Sequence, residues 1–184
     1  MRNLIYAINL TIDGCCDHTK MTAGDDVLEF FSDLIRGADL LVYGRVTYQL
    51  MVPYWPDIAK NKSGDPDETE FAQVFDSADK LVFSHSLEKI EDKRSRLARN
   101  TLQDEILRLK REQGKYILLG GVDLPSQLIA LGLVDEFIIV VQPVIAGEGR
   151  RLLEGGSLQE KLPLKLVKSK TLKSGCVALH YVKL

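Results

Sequence analysis

A chain of 184 residues, 45% hydrophobic and with a formal net charge of −2, is neither disordered nor charged enough to draw in a nucleic acid or an anionic lipid surface. No apolar run approaches the ~18 residues of a membrane span, the first residues carry no signal-peptide core, and three cysteines, two of them adjacent, make no disulfide framework. The expectation is a single cytoplasmic domain over residues 1–184, long enough to bury roughly 70% of its unfolded surface.

Leu4 to Ile12 is apolar and β-rich and ends at the turn signal Asp13-Gly14. Val27, Phe30, Phe31, Leu34 and Ile35 follow the i, i+3, i+4, i+7, i+8 spacing of an amphipathic helix, with Gly37 as its stop. Leu40-Leu41-Val42-Tyr43 has the continuous apolar character of a buried strand. It runs into a short helix over Gly44 to Met51. Residues 57–70, crowded with Lys, Asn, Asp, Gly and Pro, read as a loop. Lys80 to Ser84 is a further strand, and an extended piece lies near Arg96 to Asn100. Leu102, Ile106 and Leu109 mark a helix ending near Gly114. Tyr116 to Leu119 is a buried strand that ends in Gly120-Gly121. Asp123 suits the N-cap of the next helix, with Pro125 in the first turn, Leu128 and Leu131 on the apolar side and Gly132 as the stop. Val134 to Val144 is a long strand, apolar from Phe137 to Val141. Strands near Leu164 to Leu172 and Val177 to Leu184 flank Ser174-Gly175, a hairpin pattern.

This alternation predicts an α/β fold: a mostly parallel central sheet with helices on both faces and a C-terminal antiparallel β-hairpin at one edge. Ligands of such sheets bind beyond the carboxyl ends of the strands. Three strand ends here finish in small or hydroxyl residues. Gly44-Arg45-Val46-Thr47 combines close backbone approach, a helix start and a charged fork for phosphate; a strand-to-helix turn with a solvated Arg accounts for it equally. Ser84-His85-Ser86 offers hydroxyls to a phosphate or a ribose, or simply ends a strand. Gly120-Gly121 lets a diphosphate lie against backbone N–H groups, or makes a tight turn, and matches neither of the common glycine-rich phosphate fingerprints. Aligned on one edge, the three would form a cradle for an elongated, phosphate-bearing molecule.

Those segments, with Asn9-Leu10-Thr11-Ile12-Asp13-Gly14, Trp55-Pro56, Gly132-Leu133-Val134-Asp135-Glu136-Phe137 and Pro143-Val144-Ile145-Ala146-Gly147-Glu148-Gly149, stand in the order and at the spacing of a known group. The chain resembles the dihydrofolate-reductase-like superfamily, and within it the reductase domain of the riboflavin-pathway deaminase-reductase (the RibD C-terminal type), as a stand-alone member. The resemblance implies a three-layer fold and NADPH as hydride donor. It implies that Gly44, Arg45 and Thr47 hold phosphates on the adenine side. Ser84 and Ser86 would contact the adenosine ribose and its phosphate, and Gly120 and Gly121 would pass close to the diphosphate and nicotinamide half. It also implies a homodimer, and an aminouracil ribosyl phosphate as substrate.

Folate-specific members carry an acidic residue in the first long helix. By spacing, that position falls near Val27 or Leu28, and neither can accept a hydrogen bond from a pterin. Asp25 and Asp26 fit compensation of the helix dipole. The candidate acid is Asp13. An ordinary Asp, with a pKa of about 3.9, is a poor acid near neutrality. The role therefore requires burial to raise the pKa, relay through water, or a purely orienting function; an Asp-Gly turn is the alternative. Tyr48, Met51 and Trp55 line a substrate pocket or pack in the core, and Trp55, in a loop between Pro53 and Pro56, is the most pocket-like of them. His18 reads as solvated, Cys176 as core, and the basic stretch from Lys89 to Arg99 as a solvated loop or a steering patch. No metal is expected, because no ligand spacing links His18, His85 and His180. The reading is an NADPH-dependent oxidoreductase, resembling 5-amino-6-(5-phosphoribosylamino)uracil reductase of riboflavin biosynthesis and acting on a small heterocyclic or carbonyl/imine substrate. Its alternatives are a non-catalytic dimeric nucleotide-binding module and a dihydrofolate reductase. Neither a nucleic acid nor a membrane is expected as a partner.

Overall fold

A computed structural model describes residues 1–22, 24–153, 158 and 160–184. In chain order these form β1 (Leu4–Thr11), a 3-10 turn (His18–Lys20), α1 (Asp25–Gly37), β2 (Ala38–Gly44), α2 (Arg45–Met51), α3 (Tyr54–Asn61) and α4 (Pro66–Ser77). There follow β3 (Lys80–Phe83), β4 (Ser95–Leu97), α5 (Leu102–Arg111), β5 (Tyr116–Leu119), α6 (Asp123–Ala130), β6 (Glu136–Gln142), β7 (Leu164–Thr171) and β8 (Val177–Lys183). The strands make one eight-stranded sheet in the order β4-β3-β2-β5-β1-β6-β8-β7. From β4 to β6 every pairing is parallel, and β8 and β7 close the edge antiparallel. The mostly parallel sheet with a terminal hairpin is the architecture expected from the sequence.

Alternation along the strands builds the two cores. Tyr6, Val42, Leu81, Ile117, Leu119 and Phe137 pack with Ile106 and Leu109 of α5 and with Leu124 and Leu128 of α6. On the opposite face Ile5, Ala7, Leu41, Tyr43, Val82, Leu118 and Ile138 pack with Leu28 and Ile35 of α1 and with Phe71 and Phe75 of α4. Each fully buried aliphatic or aromatic side chain contributes roughly 1.5–3 kcal/mol. The continuous apolar run of β6 follows from its place: it lies between β1 and β8, with Phe137 and Ile138 in opposite cores. Among the described residues no helix is long and apolar enough to cross a membrane.

Three local expectations are corrected. Residues 57–70 are not a loop; they hold most of α3 and the start of α4, with only residues 62–65 between them. Lys62 ends α3 in a left-handed conformation, φ 51°. Asp65 and Glu68 then form a reciprocal capping box with Pro66 in the first turn. The Glu68 N–H donates to Asp65 Oδ1 at 2.8 Å and the Asp65 N–H to Glu68 Oε2 at 3.2 Å. The polar composition belongs to exposed helix surface, while Phe71, Ala72 and Phe75 point inward. Trp55 accordingly sits in α3 rather than in a loop. Asp123 is not an N-cap but the first helical residue of α6, the cap position being Val122. Leu131 lies past the end of α6 and is exposed.

The hairpin turns at Gly175, φ +85°. Asp26 does more than offset a dipole, because its Oδ2 accepts the Ser174 N–H at 2.7 Å and pins the hairpin to the first turn of α1.

Candidate active site

Parallel register brings the predicted strand ends together. Gly44 pairs with Phe83, just before Ser84, and Val42 pairs with Leu119, just before Gly120. All three segments therefore lie on the carboxyl edge of the sheet. β1 runs further. Its last partner in β5 is Leu119, opposite Tyr6, whereas its pairing with β6 continues to Thr11. Strand lengths thus leave a notch in the sheet edge, called the cleft below, between the outer half of β1 and the ends of β5 and β2.

The glycine corner is tightly built. Gly121 has φ +93°, and a Cβ there would lie 2.4 Å from Thr47 Oγ1. A Cβ on Gly120 would lie 2.6 Å from Cε1 of Tyr43. A side chain at Gly121 would push against Thr47 of α2, and one at Gly120 against Tyr43 of β2. The Tyr6 hydroxyl donates to the Gly121 carbonyl at 2.8 Å and fixes the corner from below. Burial keeps that hydroxyl protonated, raising its pKa well above the usual tyrosine range. The N-cap residues of α2 and α6, Gly44 and Val122, make no side-chain cap hydrogen bond to the first turn of their helices. The Asp123 carboxylate stands at the start of α6, paired with the Arg150 guanidinium.

Arg45 is exposed, and its Nη1 donates to Gln49 Oε1 at 2.8 Å. Ser84 is a turn former: its Oγ accepts the N–H groups of Ser86 and Leu87 at 3.1 and 2.9 Å. Ser86 itself is exposed. Beyond this turn, at the β4 edge of the sheet, lies a groove of about 770 Å³ lined by Lys89, Arg96, Arg99, Arg108, Asn100 and Glu105 among others. Sequence reasoning saw the basic stretch but not the groove, because Arg108 and Glu105 come from α5. The Glu105 side chain is 3% exposed. Hydrogen bonding from Arg108, helped by Asn100 and Arg96, lowers its pKa to about 2 against burial.

On the β1 side, Asp13 is held by the chain itself. Its Oδ1 accepts the Thr11 hydroxyl at 2.5 Å and the Ala146 N–H at 3.1 Å, and its Oδ2 accepts the Gly147 N–H at 2.9 Å. These bonds, the Thr11 hydroxyl first, lower its pKa to about 2. The burial-raised pKa that a proton donor would need is absent, and the carboxylate is ionised near neutrality. Val27 and Leu28 of α1 are core residues, 1% and 9% exposed, so this helix presents no carboxylate at that position. Tyr48, Met51 and Trp55 pack into the α1–α4 core, with the Trp55 ring 4.5 Å from that of Phe71. His18 and His85 are exposed and His180 pairs with Glu136, so the three histidines do not meet. Cys15 and Cys176 are buried, and Cys16 Sγ donates to the Arg150 carbonyl at 3.2 Å. No cluster of three His, Cys, Asp or Glu able to hold a metal occurs among the described residues.

A mostly parallel sheet between two helical layers, closed by a terminal hairpin and carrying its cleft at the carboxyl edge, defines the dihydrofolate-reductase-like class. Dihydrofolate reductase from Enterococcus faecalis, solved with NADP(H), shares the fold at a TM-score of 0.59 and 14% identity, covering 98% of this chain and 96% of its own. Within the class, the model of the RibD C-terminal domain matches residues 2–178, and the chain belongs to that family. It is 32% identical to the uncharacterized protein YyaP of Bacillus subtilis (strain 168), over 98% of this chain and 94% of that one. A putative riboflavin biosynthesis protein from Shewanella sp. PV-4 shares the fold at a TM-score of 0.71 and 21% identity, covering 100% of this chain and 99% of that one.

Proposed function

We propose that the chain is an NADPH-dependent oxidoreductase acting on a small heterocyclic or carbonyl/imine substrate, in the manner of the riboflavin-pathway reductases. The observation that carries this reading is the alignment of Gly44-Arg45, Ser84-Ser86 and Gly120-Gly121 on one sheet edge, beside a cleft flanked by β1. The residues fit an extended dinucleotide. Uncapped N–H groups at the starts of α2 and α6 suit its phosphates, and Arg45 supplies a fork. Ser84 and Ser86 stand toward the ribose end, and the cations of the groove beyond them suit a terminal phosphate. Asp123 would oppose an anion at the glycine corner, but Arg150 neutralises it.

Bound NADPH supplies a hydride. The chain positions the reactants: Gly120 and Gly121 allow close backbone approach, and Thr47 backs the corner. Asp13 is a positioning residue; ionised, it donates no proton and clamps Ala146 and Gly147 beside the cleft. The proton that completes the reduction comes from water. Dihydrofolate is not the proposed substrate, since Val27 and Leu28 leave α1 without a carboxylate there. The reading includes a single cytoplasmic domain that works as a homodimer. The outermost strand β7, with Leu164, Leu166 and Val167 exposed, is the surface offered to a second copy.

Calorimetric titration with NADPH and NADH, followed by NADPH oxidation in the presence of an aminouracil ribosyl phosphate, tests the reading. Saturable binding that favours NADPH, with turnover, is expected. Binding without turnover on any acceptor would leave a nucleotide-binding module, and a folded chain that binds neither cofactor would end the proposal.

A further inference from the structure

We infer that the Asn9 carboxamide reads the ring edge of the substrate in place of a helix carboxylate, and selects rings that present one hydrogen-bond donor beside one acceptor. The inference rests on the reductase reading above.

Alternation in β1 puts Ile5, Ala7, Asn9 and Thr11 on the α1 side of the sheet. Across from them in β6 stand Glu136, Ile138, Val140 and Gln142 in register. The floor beneath α1 is therefore apolar at Ala7 and Ile138 and turns polar toward the carboxyl edge, at Asn9, Thr11 and Gln142. Val140, the partner of Asn9, packs with Val27, Phe30 and Phe31 of α1. On the other flank of Asn9, β5 has already ended. Asn9 thus stands where the apolar floor meets the cleft.

Among the described residues, Asn9 Oδ1 is buried and accepts no hydrogen bond. Thr11, two positions on, is fully used: its hydroxyl donates to Asp13 and accepts the Cys15 N–H at 2.9 Å. Leaving a buried acceptor unpaired costs free energy, and such groups in folded proteins call for a specific explanation. A donor arriving with a ligand in the cleft supplies one.

The chemistry of the group sets the ligand class. A carboxylate has acceptors only and matches two donors, the edge of a 2-aminopyrimidine ring whose neighbouring ring nitrogen is protonated. A carboxamide has one acceptor and an NH₂ donor, and matches a ring N–H beside a ring carbonyl, the edge of a lactam or ureide. α1 offers no rival carboxylate here. Val27 and Leu28 are core, Asp26 is engaged by Ser174, and Asp25 and Glu29 are exposed.

The test uses 5-aminouracil as the ureide probe and 2,4-diaminopyrimidine, at a pH where its ring nitrogen is protonated, as the two-donor amidinium probe. Wild type, Asn9→Ala and Asn9→Asp are titrated calorimetrically with each at saturating NADPH, after the NADPH affinity of each protein is measured alone. Wild type should favour 5-aminouracil. Asn9→Ala should weaken that probe about tenfold and leave diaminopyrimidine and NADPH binding as they were. Asn9→Asp should invert the ranking, a change that a merely structural residue would not produce. If Asn9→Asp does not fold, the selective loss in Asn9→Ala decides the matter. An unchanged ranking in variants that bind NADPH normally, or a wild type that binds NADPH but neither ring, overturns the role of Asn9 and leaves the reductase reading standing. A wild type that binds no NADPH overturns the reductase reading itself, and this inference with it.

Discussion

The two flanks of the carboxyl edge are made of different material. On the β2–β5 side the cleft is backbone: Gly44 ends β2, Gly120 and Gly121 follow β5, and the corner at Gly120 and Gly121 leaves no room for an added Cβ. On the β1 side it is side chains brought together by long-range pairing. Asp13 meets Ala146 and Gly147 across 133 and 134 residues, and Asn9 stands opposite Val140. The first flank is intolerant of volume at Gly120 and Gly121. The second is defined by its hydrogen bonds. In the function proposed above, the first flank recognises the cofactor and the second chooses the substrate.

The largest way to break this division is Gly121→Val. A β-branched residue at φ +93° would also meet Thr47 Oγ1. A loss of about 3 kcal/mol is expected in urea unfolding, together with NADPH binding. Next is Glu105→Ala at the far end of the cofactor flank. Arg96 and Asn100 would lose their acceptor and Arg108 one of its two, at about 2 kcal/mol by the same measurement.

The two low carboxylates, one on each flank, also set an acid limit. Folding lowers Glu105 from 4.5 to about 2 and Asp13 from 3.8 to about 2. Each therefore adds stability that is fully present above its unfolded pKa and is lost as pH falls toward about 2. Unfolding followed against pH should fall off across that window, and Glu105→Gln and Asp13→Asn should each flatten the fall.

Asp13→Asn separates the flanks more finely. It should lower kcat/KM about tenfold through the loosened 146–147 backbone while NADPH affinity holds. Because the carboxylate is ionised, the wild-type pH–rate profile should carry no limb from Asp13 between weakly acid and neutral pH; such a limb, abolished in Asp13→Asn, would restore Asp13 as the acid. Smallest is Arg45→Ala. An exposed charge contributes little, so NADPH and NADH should each weaken about fivefold or less, as read by titration.

What could be read from the sequence follows the same division. The strand ends of the cofactor flank were legible because glycines and hydroxyls adjoin apolar runs, and parallel pairing then aligned them. The α3–α4 region was misread because its polar face and Gly64 masked the capping signal in Asp65-Pro66-Asp67-Glu68. Trp55 looked like a pocket residue from its prolines, yet its ring lies against Phe71. Asn9 carried no signal within an apolar strand; only the register with β6 and the early end of β5 give it a place. The depressed pKa of Asp13 was only partly hidden: its largest cause, the Thr11 hydroxyl, lies two residues away, while the Ala146 and Gly147 N–H donors are remote in sequence.

Whether the glycine corner and the neighbouring strand ends form an NADPH site is tested directly by titrating the folded wild-type chain with NADPH, with Gly121→Val alongside. Saturable binding of one NADPH per chain, tighter than NADH and lost in the variant, is the predicted result. A folded wild type that gives no saturable signal, or a Gly121→Val chain that binds as tightly as wild type, would contradict it.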